Sequence, residues 1–173
     1  MKARVNPMVL AVILGVVIFN ATAVLAADEG AQQQVTITAV VAQRIVFSIT
    51  EGASIQLNVD PLENPEATGY THFEVKTNAP SYSITASFGA FEVGNTGYDL
   101  IEHGNFYIMS TTSGTGMAID DWTVPQRTME VLSGEDGLTN GEAFTVGYML
   151  HVDFTVPAGS ATTTIVFTAS VSM

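Results

Sequence analysis

Cysteine is absent from this chain of 173 residues. Disulfides, thiol nucleophiles and thiolate metal sites are therefore excluded, and stability has to come from core, strand pairing or assembly. Basic residues are scarce too: five Lys and Arg stand against 17 Asp and Glu, a formal net charge of −12. That field argues against nucleic acid and anionic lipid as partners, because both need a basic footprint. Catalytic signatures are missing as well. No Gly-x-Ser-x-Gly, His-Glu-x-x-His or phosphate-cradling glycine loop occurs, and His72, His103 and His151 are scattered, so no enzyme and no catalytic residue is expected. Beyond the first 27 residues there is no apolar stripe of period 3.6 and no repeat of fixed length.

What is present begins with a leader. Lys2 and Arg4 make a positive start, Met8 to Phe19 is an uncharged apolar run, and Val24-Leu25-Ala26 offers small residues for a peptidase. Residues 1–27 thus read as a secretory signal peptide, and the protein as secreted, extracellular or bound to the cell surface. The same stretch, Lys2 to Phe19, also resembles archaeal type IV prepilin leaders, whose apolar segment is kept; ordinary secretion ranks first. Cleavage leaves three basic residues against 17 acidic ones, a net charge of −14. No stable membrane insertion is expected after it. About 146 residues remain, enough for one domain with a sizeable core.

Those residues alternate. Tyr82, Ile84, Ala86 and Phe88 are apolar against Ser83, Thr85 and Ser87, and Phe144 through Val156 repeats the pattern on even positions. Ile165, Phe167, Ala169, Val171 and Met173 do so again at the end. Period two means half-buried strands. Further strands are expected at Ser54–Val59, Thr71–Thr77, Asn105–Ser110 and Arg127–Leu132, with Asn78-Ala79-Pro80-Ser81 a turn and Gly134–Glu142 a turn cluster. Eight to ten short strands imply an all-β fold, a single antiparallel β-sandwich of immunoglobulin-like or jelly-roll type over residues 43–173. A closed barrel is the second choice.

The run Gln34–Thr50 alternates for longer than a small domain needs. Val35 to Ile49 would span roughly 50 Å as a strand, against about 17–20 Å for a common one. Two readings stay open. The strand bends near Ala42-Gln43 and its halves join different sheets. Alternatively, residues 28–42 form an extension whose Val35, Ile37, Ala39 and Val41 leave their own domain and complete the sheet of a neighbour. Such a contact is heterologous and propagates into a fibre.

Two acidic stretches raise calcium as a possible ligand, since hard cations take several oxygens from bendable loops. They supply Asp60, Glu63 and Glu66 in one, and Glu135, Asp136, Asn140 and Glu142 in the other. Neither has the EF-hand order, and solvated acidic turns are the simpler account. Trp122, Tyr98 and Tyr107 could form a sugar-binding platform, though aromatics of a sandwich are more often core.

The segments FEVKTNAPSYSITASF (73–88) and FTVPAGSATTTIVFTASVSM (154–173) resemble a group of secreted prokaryotic β-sandwich proteins. The group comprises WxL-like wall-associated domains and matrix-fibre proteins of the TasA and camelysin kind. The resemblance implies a structural role at a cell surface or in a fibre or pilus. The chain departs from the WxL pattern: Trp122-Thr123-Val124 is its one approximation, and Phe167 stands where a terminal tryptophan is expected, so wall binding by that route is not expected. The overall expectation is a homopolymeric filament subunit assembling by donor strands, with no obligate cofactor. The alternative is a monomeric binding module for carbohydrate, cell-wall polymer or calcium.

Overall fold

The computed structural model describes residues 34–172. The leader over 1–27 and the start of the extension lie outside the described residues. Among the described residues, none forms a helix long and apolar enough to cross a membrane. The described residues form eight strands: β1 (Ile45–Glu51), β2 (Glu66–Thr77), β3 (Ser81–Phe88), β4 (Phe106–Thr112), β5 (Met117–Ala118), β6 (Thr128–Asp136), β7 (Thr139–His151) and β8 (Ile165–Ser172). They make two four-stranded sheets, in the orders β1-β2-β7-β4 and β5-β6-β3-β8. Every pairing is antiparallel. This is the expected all-β sandwich.

Alternation explains why the sheets face each other. On β3, Tyr82, Ile84, Ala86 and Phe88 are buried while their neighbours are half-exposed. On β7, Phe144, Val146, Tyr148 and Leu150 turn the same way. Burying such a side chain contributes about 1.5–3 kcal/mol, so a register slip of one residue would forfeit the whole face. Aromatic rings lock the layers: Phe73 of β2 meets Phe167 of β8 edge-on at 4.9 Å, and Phe88 of β3 meets Phe106 of β4 at 6.4 Å.

Three short crossings carry the chain between sheets, one of them residues 113–116 from β4 to β5. Residues 78–80 join β2 to β3, the turn expected at Asn78–Ser81, and residues 137–138 join β6 to β7. They lie side by side, Gly137 N donating to Pro80 O and Leu138 N to Ala79 O. The turn cluster expected over Gly134–Glu142 is therefore mostly strand. Its glycines serve bulges instead: Gly134 (φ 59°) falls where β6 shifts register against β3, and Gly141 (φ 137°) where β7 shifts against β2. The β7 strand stops at His151, short of the expected Pro157. Val152 is still buried but Phe154 is exposed in the turn beyond.

The opening run differs most from expectation. Strand begins only at Ile45, and residues 34–44 belong to neither sheet. The chain divides between Ala42 and Gln43. Val35, Ile37, Val40 and Val41 are 77, 78, 92 and 80% exposed.

Candidate functional site

The site is a place where the first sheet lacks a strand. β2 has 12 residues, and β1 pairs only with its Thr77–His72 half. The other half, Glu66–Thr71, is laddered to β7 alone. The chain leaves the sheet at Gly52, whose φ of 74° suits glycine and whose close approach to the Tyr70 carbonyl leaves no space for a Cβ. Thr71 Oγ1 donates to Gly52 O at 2.8 Å and fixes the exit.

After the exit, Ser54–Val59 keeps period-two burial without being a strand. Ile55, Leu57 and Val59 are half-buried and packed on the core, while Ser54, Gln56 and Asn58 are exposed. Among the described residues, no main-chain to main-chain hydrogen bond joins this segment to β2. It is seated by side chains instead. Ile55 and Leu57 occupy the space above Gly69 of β2, where an added Cβ would fall 2.5 Å from Ile55 Cγ2 and 3.3 Å from Leu57 Cδ2. The strand expected at Ser54–Val59 thus has the pattern of a strand and lacks its ladder.

Between this segment and the opposite sheet lies an open cleft of about 920 Å³. Ile165 and Phe167 of β8 line the far wall, and Phe106, Leu150 and Val152 lie at its floor. Ile49 of β1 lines it as well. Thr163 Oγ1, in the wall, is buried without a hydrogen-bond partner among the described residues. Its lining is mainly apolar, with Ser54, Gln56, Thr71 and Thr163 adding polar groups, and protein interiors are close-packed, so a cleft of this size is an unfilled position.

The expected cation ligands separate into two places. Asp60 Oδ1 accepts from the main chain of Glu63 and Leu62, and these bonds hold its carboxyl below the usual range. Glu63 and Glu66 are exposed beside it. In the second stretch Glu135 is fully buried, accepting from Thr112 Oγ1 and from the main chain of Thr115 and Gly116. The β6 register shifts bring it inside, opposite Tyr82. Glu142 accepts from Tyr82 Oη at 3.1 Å; burial, then the charge of Glu135, push its carboxyl up against that bond. Asp136 and Asn140 remain exposed. Among the described residues no three His, Cys, Asp or Glu side chains come together as metal ligands.

The three aromatic candidates do not form one platform. Tyr98 stacks on His103 at 3.9 Å and donates to Asn105. Trp122 folds over Gly147 on the outer face of the first sheet, where Tyr70 and Met109 also converge, and Tyr107 of β4 lies on that same face, apart from the stacked pair of Tyr98 and His103. His72 Nδ1 bonds Thr145 Oγ1 at 2.9 Å, and His151 is exposed. The place of the groove, beside Glu66–Thr71, and the burial of Glu135 are what sequence reasoning missed. The pairing gap beside Glu66–Thr71 has no local signal in the residues that border it. Set against known proteins, the chain matches no protein-family model and no curated protein.

Proposed function

We propose that the protein is a structural subunit of an extracellular or cell-surface filament, in which the Val35–Val41 run of one copy completes the sandwich of the next. One observation carries this reading. An exposed, alternating apolar run that belongs to no strand exists in the same chain as a sandwich with an open apolar groove. Each is unfavourable alone, and strand addition removes both by supplying main-chain hydrogen bonds and filling pockets with alternate side chains. A fibre results because donor and acceptor are different surfaces of one chain. The sequence likeness of residues 73–88 and 154–173 to secreted fibre and wall proteins points the same way, and the absence of cysteine is compatible with stability gained by assembly.

Size-exclusion chromatography and negative-stain microscopy test it, on the chain from Asp28 and on one lacking residues 28–42. Ladders or fibres from the first and a folded monomer from the second are expected. A monomer in both cases contradicts the filament and leaves a monomeric module.

A further inference from the structure

We infer that the acceptor is the free margin of β2 from Glu66 to Thr71, and that Ser54–Val59 is a placeholder which gives up its seat when the strand of a second copy arrives; this rests on the filament reading above. Three margins could take an added strand on this side of the molecule: those of β1, β8 and the unpaired half of β2. The first two are already seated on the core. Phe47 of β1 stacks on Phe73 at 4.8 Å, and Phe167 of β8 meets the same ring from the other sheet. A strand laid outside either would extend a sheet there and leave the Glu66–Thr71 margin without a partner. Beside Glu66–Thr71, a strand in the plane of the sheet both takes up the unpaired margin and points alternate side chains into the groove.

The fit is one of length as well as face. Glu66–Thr71 offers six residues, about 20 Å of margin, and Val35–Val41 offers seven, about 23 Å. Its inward set, Val35, Ile37, Ala39 and Val41, has the spacing of Ile55, Leu57 and Val59, which now occupy the mouth. The occupant therefore imitates the donor in pattern but forms no ladder, and a strand that brings both displaces it. Gly69 gives room for the exchange, since the inner face of β2 carries no side chain under Ile55.

Hydrogen exchange followed by mass spectrometry tests this on the assembled protein against the Ile37→Asp monomer. Amides of 66–71 and of 35–41 are expected to slow at least tenfold on assembly, and those of 54–59 to stay fast. A synthetic peptide of residues 34–42, added to the Ile37→Asp chain, is expected to protect 66–71 alone and to raise its melting temperature. Leu57→Ser, which loosens the placeholder, is expected to speed assembly several-fold; a slower rate in a folded Leu57→Ser chain would make the segment a permanent wall. Should that variant fail to fold, exchange on the unsubstituted chain decides. Protection at 45–51 or 165–172 in place of 66–71 overturns the acceptor assignment while the filament stands. A protein that never assembles, with 35–41 unprotected, overturns the filament and this inference together.

Discussion

Asp99 shows how a single carboxylate ties an irregular stretch to the sandwich. Its oxygens accept from the main chain of Phe91, Ile101 and Glu102, and Arg127 Nη2 approaches one of them at 2.7 Å. Burial alone would push this acid up, but the Arg127 bond and the three amides outweigh it and hold the pKa at about 2. A lowered acid stabilises the fold above its unfolded value, and that share is lost as pH falls through about 2. Asp99→Asn should therefore destabilise by roughly 2–3 kcal/mol at neutral pH, since it leaves a guanidinium short of its buried partner. Urea melts at pH 7 and pH 3 measure it, with a smaller deficit expected at pH 3. Glu142 has the opposite sign. Its carboxyl is pushed up by burial and by Glu135, so the fold favours its protonated form and loses stability as pH rises above 4.5. Glu142→Gln keeps an oxygen for the Tyr82 hydroxyl and removes that loss. Relative to the parent, its urea midpoint should be higher at pH 7 than at pH 4; an unchanged ratio would mean that burial and Glu135 do not push the Glu142 carboxyl up.

At the scale of elements, period two was a reliable guide to which way side chains face and a poor guide to what pairs with the backbone. Tyr82–Phe88, Phe144–Leu150 and Ile165–Val171 were legible because each face meets the opposite sheet and each backbone meets a neighbouring strand. Val35–Val41 and Ser54–Val59 have the same pattern, yet neither is a strand. Whether a partner strand lies alongside is a property of distant chain, and no window of sequence contains it. The burial of Glu135 was hidden for a related reason: the bulges around Val131 and Gly134 shift the β6 face, so two neighbours, Val131 and Leu132, are both buried and an acid is turned inward. Gly147 is a further feature visible only in three dimensions. A Cβ there would lie 2.9 Å from Met109, 3.0 Å from Trp122 and 3.1 Å from Tyr70. Gly147→Val should lift Trp122 from its seat at a cost of about 1–3 kcal/mol. As Trp122 is the sole tryptophan, a red-shifted emission at unchanged β-sheet circular dichroism reads it directly.

For the whole molecule, an acidic sandwich without disulfides has to reach its stability by packing and pairing, and this one leaves both incomplete at the same end. Completion by a second copy would link stability to assembly: the polymer should melt well above the monomer, because every subunit but the last gains a strand. The most direct measurement is the sedimentation mass of two single-residue variants of the donor run. Ile37→Asp places a charge on the face that would enter the groove, whereas Thr38→Asp places it on the opposite face, and both positions are exposed, so neither substitution threatens the fold. Polymers from Thr38→Asp and monomers from Ile37→Asp are expected. Equal behaviour of the two variants, whether both assemble or neither does, would contradict strand donation by this run.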